Sequence, residues 1–295
     1  MKKTLALMLA CVMALSMAAC GSNEETTTAA STEGTTAEAA SQEDTTEAAD
    51  TSAAAGEEKD WSNVTTVSEG KLIVATEAGF APYEYLSGDQ VVGVDMDIAQ
   101  AIADELGLEL QIMNMDFTGA LLAVQQGKAD IVAAGVSVDP ERSEVMDFSV
   151  NYVDSTEVVV VNAENPALTE PTGEALNGLN VGVQQGNIAD LWVSNTENTT
   201  PGEITRYTTF SQAAQDLMNG KIDCIVMDEL PAQELVASTD GALTVLEGDP
   251  LFVDQYAIGM AKGNTAMKEV VDYVITELQE SGRLDEIIAS HSTAE

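Results

Sequence analysis

The stretch that decides the fold is AVQQGKADIVAAGVSVDPER, residues 123–142. It reads as a helix end, a glycine at Gly127 that suits a left-handed helix cap, and a short apolar strand. A second stretch, DLMNGKIDCIVMD at residues 216–228, repeats the order of helix, Gly-Lys, Asp and apolar strand. Two lobes of similar construction would produce this repetition, and so would chance similarity of two helix-to-strand turns.

Strands and helices alternate on both sides of these stretches. The predicted strands are KLIVAT, LELQIMN, ADIVAAG, VVVV, NVGVQQ, IDCIVMD and LTVL. The predicted helices are VDMDIAQAIADEL, TGALLAVQQG, NIADLWV, FSQAAQDLMNG, PAQELVAS and a last long helix with a stripe of apolar residues. This alternation predicts an α/β fold with largely parallel sheets and helices on both faces.

The first twenty residues read as an export signal. Two lysines precede an apolar run, Leu5 to Ala19, that is shorter than the roughly 20 residues of a membrane-spanning helix. The small residues before Cys20 resemble a bacterial lipobox, although Met17 stands where Leu is usual. We therefore predict a lipoprotein signal peptide over residues 1–20 with lipidation of Cys20, the alternative being an uncleaved membrane anchor.

The following segment is rich in Thr, Ala, Ser and Glu. From Gly21 to Asp60 it has almost no large apolar residue, so it cannot bury enough surface to offset the entropy of ordering. Its acidic side chains repel one another and keep it extended. We predict a disordered acidic tether over residues 21–65, the alternative being a low-complexity tail without function.

The composition excludes several kinds of chemistry. A formal net charge of -39 argues against binding to nucleic acid, whose phosphates require basic patches. Cys224 is the cysteine left in the folded part, so we expect no internal disulfide and interpret it as a small buried hydrophobe. His291 is the one histidine, which argues against a histidine base or a histidine metal cluster. We predict no metal and no cofactor.

Two charged residues follow the ends of the repeated strands. Arg142 lies in the first turn of a predicted helix capped by Asp139, where the guanidinium, free helix amides and the Ser137 hydroxyl suit a carboxylate. Asp228 ends the second strand, before a helix opened by Pro231, and its carboxylate suits an ammonium. Because ligands of open α/β sheets bind beyond the carboxyl ends of the strands, the pair predicts a site for a free α-amino acid.

Each charge also has an ordinary structural explanation. Arg142 could pair with Glu141 or Asp147 on a wet surface. Asp228 could simply cap the helix that follows it. The binding hypothesis therefore depends on the two side chains converging on one crevice.

From Lys71 to the C-terminal helix, the chain resembles the polar amino-acid-binding proteins of ATP-driven importers. The resemblance is carried by ATEAGFAPYEY, VVGVDMDIAQAIADELG, VGVQQGN, DQYAIGMAKGN and above all MDFTGALLAVQQGKADIVAAGVSVDPERSEVMDFS. It implies the type II periplasmic-binding fold, with two lobes, two hinge crossovers and a ligand cleft between the lobes. The implied division is lobe 1 over residues 66–160, lobe 2 over 161–253, and a return segment of lobe 1 over 254–295.

The resemblance implies the anchors of the ligand's amino-acid end. Arg142 would bind the α-carboxylate and Asp228 the α-ammonium. Gly135 would offer a carbonyl to the ammonium, and Ser137 would bind either end of the ligand.

Further contacts are implied around these anchors. Phe80 and Phe117 match aromatic residues that cover the ligand, although aromatics at such positions are otherwise simply core. Asn187 stands where Thr is common in the family and is followed by Ile188. Backbone amides there can still contact the carboxylate, but the departure leaves a hydroxyl contact in doubt.

The resemblance also implies which residues read the ligand's side chain. Glu77 would favour a cationic or amide group, because burying an unpaired carboxylate costs several kcal/mol. Gln184, at a second such position, is compatible with either. The alternative for Glu77 is a solvated strand end. The expected ligands are arginine, lysine or histidine, then glutamine, with cystine as an alternative.

The implied function is that of an extracytoplasmic, lipid-anchored substrate-binding protein. It would close around the free amino acid and dock on an ABC permease that works with an ATPase, without enzymatic activity. Nothing in the sequence demands more than a monomer. Two alternatives come from other classes: an enzyme similar to cyclohexadienyl dehydratases, with Glu77 as the acid, and a sensory ectodomain. The end at Glu295, with no transmembrane or kinase segment, disfavours the latter.

Overall fold

A computed structural model describes residues 59–292, which belong to one compact unit. The predicted signal peptide, Cys20 and the tether up to residue 58 lie outside the described residues. The strands are β1 (Lys71–Thr76), β2 (Gly79–Phe80), β3 (Glu84–Ser87), β4 (Gln90–Val92), β5 (Glu109–Asn114), β6 (Ile131–Val132), β7 (Met146–Phe148), β8 (Val153–Asn162), β9 (Asn180–Gln184), β10 (Glu203–Tyr207), β11 (Cys224–Asp228), β12 (Leu243–Val245), β13 (Phe252–Tyr256) and β14 (Gly259–Ala261). The helices are α1 (Val94–Leu106), α2 (Phe117–Gln125), α3 (Pro140–Val145), α4 (Ile188–Ser194), α5 (Phe210–Met218), α6 (Glu229–Ala237), α7 (Thr265–Glu280) and α8 (Arg283–His291).

Two mixed sheets form the two lobes, which confirms the predicted α/β fold. The first sheet has the order β5-β1-β6-β14-β7, and the second the order β10-β9-β11-β8-β12 with β13 also paired to β8. A third small sheet, β2-β3-β4, was not foreseen.

The expectation of largely parallel sheets is wrong. Strands β1, β5 and β6 are parallel to one another, as are β9, β10 and β11. In contrast, β14 in the first sheet and β8 in the second run antiparallel to their neighbours. These antiparallel strands flank the passages between the sheets, where the chain crosses over and returns in the opposite direction.

The two passages between the sheets lie side by side. One joins β7 to β8 through residues 149–152, and the other joins β13 to β14 through residues 257–258. Strands β8 and β13 pair antiparallel from Glu157 opposite Phe252 to Val153 opposite Tyr256. This pairing holds the two passages together, whereas the lobe boundaries implied by the resemblance stay predictions.

Helices bury apolar faces against the sheets, as their spacing predicts. The described core includes Ile98 and Ile102 of α1, and the whole predicted stripe of the last long helix. That helix is divided into α7 and α8 because Gly282 between them adopts a left-handed conformation, with φ of 74°, which glycine adopts at little cost. Within residues 59–292, no helix combines the length and the apolarity that crossing a membrane requires.

The repeated helix-to-strand turns have the predicted form. Gly127 and Gly220 follow α2 and α5 with φ of 65° and 68°. The strand after each glycine is buried, although β6 is reduced to Ile131–Val132 where a longer strand was expected. Each turn leads into its strand, and the strand then carries the chain to the carboxyl end of the sheet, where Gly135 and Asp228 lie.

Candidate functional site

Arg142 reaches from the first lobe to the second. Its guanidinium is buried, donating from Nη1 to the Ser137 carbonyl and from Nη2 to the Gly186 carbonyl, at 2.8 Å each. Gly186 follows strand β9 of the second sheet. Arg142 therefore joins backbone groups of the two lobes on either side of the cleft.

The structure contradicts two interpretations of the groups around Arg142. The alternative explanation, pairing with Glu141 or Asp147, does not apply, because Asp147 pairs with Lys262 at 2.9 Å and, within residues 59–292, no carboxylate forms a salt bridge with Arg142. The expectation of free helix amides is wrong. The amides of Glu141 and Arg142 donate to the Asp139 carboxylate, at 2.8 and 3.1 Å, so the N-cap already occupies them.

The Arg142 guanidinium stacks on an aromatic ring and stays positively charged. Its central carbon lies 5.5 Å from the centre of the Phe117 ring, a cation–π contact that favours the charged form. Burial lowers the pKa of Arg142, and the carboxylates of Asp139, Asp254 and Asp228 oppose that effect. Because a guanidinium has a very high intrinsic pKa, it remains protonated at neutral pH.

Asp228 is fully buried at the carboxyl end of β11. It occupies the N-cap position of α6, but its side chain makes no capping hydrogen bond, so the capping explanation does not apply. The prediction that Pro231 opens the helix is wrong, since α6 begins at Glu229. Pro231 is tolerated in the first turn because the amides there have no helical partner.

Three side chains donate to the Asp228 carboxylate. The Tyr256 hydroxyl and the Ser155 hydroxyl, the latter at 3.4 Å, donate to Oδ1. The Asn187 amide lies 3.4 Å from Oδ2, while the Asn187 Oδ1 accepts from the Ala189 amide at the start of α4. Asn187 thus contacts Asp228, and Ile188, its neighbour, is the half-buried first residue of α4.

Two further carboxylates surround Asp228. One oxygen each of Glu157, Asp228 and Asp254 lies within 4.8 Å of the others, so three acidic groups share one small region. Burial, then the carboxylates of Asp228 and Asp254, raises the pKa of Glu157 well above its ordinary value. Burial also raises the pKa of Asp228, and that of Asp254 to about 6. Sequence reasoning missed Glu157 and Asp254, and the available signal was the carboxylate of Glu157 directly before the apolar run VVVV.

Glu77 and Gln184 contact each other between the lobes. Glu77 follows β1 and is 6% exposed, so it is not a solvated strand end. The Gln184 amide donates to Glu77 Oε2 at 2.8 Å and to the Thr208 carbonyl at 3.1 Å. Burial raises the pKa of Glu77 to about 7, with Gln184 opposing the shift and Asp116 adding to it.

Aromatic rings close the remaining side of the cleft. Phe80 lies 6.0 Å from Phe210, the first residue of α5, and 6.4 Å from Tyr256, measured between ring centres. Tyr83 is buried against the rings of Phe80 and Tyr256. Phe210 and Tyr256 were not foreseen, because an aromatic residue at the start of an amphipathic helix or within a strand reads as ordinary core.

A side chain would not fit at Gly135. Its φ is 52°, and a Cβ there would come within 2.6 Å of Phe80 Cε1. The Gly135 amide donates to Asp95 Oδ2 at 2.9 Å, and the Tyr152 hydroxyl donates to Asp95 Oδ1 at 2.6 Å. Asp95 is fully buried in the first turn of α1, so it ties the strand end at Gly135 to the passage between the sheets. Its role was missed because it lies within a helical pattern.

We expect Asp95→Ala to lower the free energy of unfolding by about 2–6 kcal/mol, because two buried donors would lose their acceptor at about 1–3 kcal/mol each. Asp97→Ala is the matched control on the same turn. Asp97 is exposed and contacts His291 at 3.0 Å, so its loss should cost less than about 1 kcal/mol. Urea unfolding followed by circular dichroism measures both, and equal losses would contradict the role given to Asp95.

The sequence matches a described protein family over most of the folded part. Residues 72–293 match the family described as bacterial extracellular solute-binding proteins, family 3. The match includes every residue that the site brings together, from Glu77 to Tyr256.

The similarity to individual relatives also covers most of this chain. The L-cystine-binding protein TcyJ of Escherichia coli (strain K12) is 29% identical over 216 residues, which cover 73% of this chain and 80% of that protein. A probable histidine-binding protein of Neisseria gonorrhoeae is 29% identical over 247 residues, covering 83% of this chain and 91% of that protein.

A solved structure shares the fold. The substrate-binding protein AbpA of an amino acid ABC transporter from Streptococcus pneumoniae, bound to L-arginine, is 34% identical with a TM-score of 0.67. The similarity covers 75% of this chain and 94% of that one.

Proposed function

The chain belongs to the bacterial extracellular solute-binding proteins of family 3, and we propose that it captures a free polar or cationic L-amino acid between its lobes for an ABC importer. The observation that carries the proposal is the convergence of the two opposite charges on one dipeptide. Arg142 donates to the Gly186 carbonyl, and the next residue, Asn187, donates to Asp228. A guanidinium and a carboxylate on either side of two consecutive residues suit the two ends of one small zwitterion.

The ligand's α-carboxylate would bind Arg142. Of the five N–H groups of the guanidinium, two donate to backbone carbonyls, which leaves others for a carboxylate. The α-ammonium would bind Asp228. Charge-assisted hydrogen bonds contribute about 1.5–3 kcal/mol each, so a handful of them with aromatic cover reaches about -8 kcal/mol, a micromolar dissociation constant.

The pair of Glu77 and Gln184 would select the ligand's side chain. An ionised Glu77 suits a cationic group, and the Gln184 amide suits either a cationic or an amide partner. The names of the relatives agree with this class, since one is described as histidine-binding and one is bound to L-arginine. Cystine is the second candidate, because TcyJ is described as an L-cystine-binding protein.

The mechanism is closure of the two lobes around the ligand. Arg142 with Gly186, Glu77 with Gln184, and Phe80 with Phe210 each join one lobe to the other. A ligand that completes these contacts binds the closed state better than the open one, and only that difference in affinity shifts the equilibrium.

The closed form would then deliver the ligand to the membrane permease and its ATPase. Lipidation of Cys20 and the acidic tether would keep the domain at the outer face of the cell membrane while it samples ligand. The relatives named above are described as binding proteins, which supports capture without chemical turnover.

The function is tested by a thermal-shift screen of purified protein against the free amino acids. We expect arginine, lysine or histidine to raise the melting temperature most and glutamine less, because each supplies the zwitterionic end and a side chain compatible with Glu77. Cystine is screened in the same series, and prephenate and arogenate are followed for turnover. A protein that no amino acid stabilises, or that converts prephenate, would contradict the proposal.

We expect Arg142→Ala to weaken amino-acid binding by about 3 kcal/mol or more, hundredfold or more in dissociation constant, because the buried ligand carboxylate would lose its charged partner. Isothermal titration calorimetry measures the effect. Arg283→Ala is the control, since Arg283 is an exposed arginine at the start of α8. Unchanged affinity in a folded Arg142→Ala protein would refute the carboxylate assignment.

We expect the affinity for arginine, relative to its neutral analogue citrulline, to fall about tenfold from pH 8 to pH 6. Glu77 has a pKa of about 7, so it is mostly ionised at pH 8 and mostly protonated at pH 6, and only the ionised form attracts the guanidinium. The ratio should become flat in Glu77→Gln and keep its slope in Glu69→Gln, an exposed control. A pH-independent ratio in the native protein would contradict the role of Glu77.

A further inference from the structure

The acidic end of the cleft holds more carboxylates than one ammonium requires. Glu157, Asp228 and Asp254 approach within 4.8 Å of one another, whereas a zwitterionic ligand brings a single ammonium. Within the described residues, the basic group that acts on Asp228 and Asp254 is Arg142, and under the proposed function its charge is matched by the ligand carboxylate. Some of the negative charge in this cluster must therefore be removed in another way.

The strand register places Glu157 directly against Asp228. The two residues are opposite partners in the antiparallel pair β8–β11. Opposite residues of such a pair project to the same face, with Cβ atoms about 4.5–5.5 Å apart. Because β8 and β11 belong to one sheet, this contact does not depend on whether the lobes are open or closed.

The hydrogen bonds around these two carboxyl groups are unequal. Asp228 accepts from Tyr256, Ser155 and Asn187. Both oxygens of Glu157 are fully buried, and within residues 59–292 neither has a hydrogen-bond donor. An ionised carboxylate without any donor is among the most costly groups to bury.

We propose that Glu157 carries a proton and donates it to Asp228, so that Glu157 is a positioning residue that orients Asp228 for the ligand's ammonium. The proton gives Glu157 a partner and gives Asp228 a fourth donor beside those of Tyr256, Ser155 and Asn187. It also leaves a single negative charge on the pair. The inference rests on the proposed role of Asp228 as the ammonium partner.

The surrounding groups agree with a protonated Glu157. The groups that face the pair are Asp254 and Tyr256 on β13, Ser155 on β8, Asn187 before α4 and Arg142 on α3. Asp254 repels an ionised Glu157, and burial acts in the same direction to raise the pKa of Glu157. The Arg142 guanidinium lowers the pKa of Asp254 and so opposes the effect of burial on that carboxyl group.

Three variants of the full chain test the inference by calorimetry with L-arginine, or with whichever amino acid the screen identifies. Glu157→Gln keeps the size and a donor for Asp228 but cannot ionise, so we expect its affinity within about threefold of the native protein. Glu157→Met removes the donor, and we expect a loss of tenfold or more. Glu164→Gln, the same substitution at an exposed position of the second lobe, is the control. Thermal unfolding of each variant verifies folding.

The pH profile separates proton donation from a merely structural role. Deprotonation of Glu157 would remove the donor that orients Asp228, so the native affinity should decline as the pH rises through the raised pKa of Glu157. Glu157→Gln should lack that decline, and the ratio of the two affinities should change steadily with pH. Titration of Glu77 and Asp254 occurs in both proteins and cancels in the ratio.

Four results would overturn the inference. If Glu157→Gln loses binding as severely as Asp228→Asn, an ionised Glu157 contacts the ligand directly. If Glu157→Met binds normally, Glu157 does not position Asp228. If the native protein gains affinity relative to Glu157→Gln as the pH rises, an ionised Glu157 assists binding and the shared proton does not position Asp228. If calcium or magnesium chloride strengthens binding and EDTA abolishes it, a cation occupies the place of the proton. A native protein that binds no amino acid would contradict the proposed function itself. The four results above contradict only the role of Glu157 in a protein that binds its ligand, so the two failures are distinguishable.

Discussion

The cleft depends on one constraint, the need of each buried charge for a partner. Arg142 meets it with carbonyls from both lobes and the face of Phe117. Asp228 meets it with three neutral donors. Neither anchor forms a salt bridge with another side chain among the described residues, so each keeps its charge available to a small guest. Opposite charges held apart in this way favour a ligand that carries both charges itself.

The same constraint explains how the lobes recognise each other. The contacts between them are polar at Arg142 with Gly186 and at Glu77 with Gln184, and aromatic at Phe80 with Phe210. None of these contacts neutralises a charge, since the partners are carbonyls, an amide and rings. Closure without ligand therefore leaves the guanidinium without a salt-bridge partner among the described residues, and the proposed ligand, a zwitterion with a cationic side chain, would supply one.

Local features of the chain were predicted from the sequence, and contacts between distant residues were not. The helix caps at Asp139 and Gly127 and the apolar stripe of α7 are local features, and their structures are as predicted. The expectation of free amides beside Arg142 was wrong for a local reason as well: a good N-cap uses the very amides that it was thought to leave open. The extra carboxylates Glu157 and Asp254, the ring of Phe210 and the buried Asp95 were missed because their partners are distant in the chain.

The sequence by itself determined the alternation of strands and helices, the helix caps at Asp139 and Gly127, and the opposite charges, Arg142 and Asp228, that follow the two repeated strands. These follow from residue spacing and from side chains acting on their own backbone. Only the tertiary structure decided that Glu157 faces Asp228, that Gln184 faces Glu77 and that Arg142 reaches Gly186. Such pairs are set by strand register and by the approach of two lobes, and a side chain far along the chain carries no local trace of the partner it will meet.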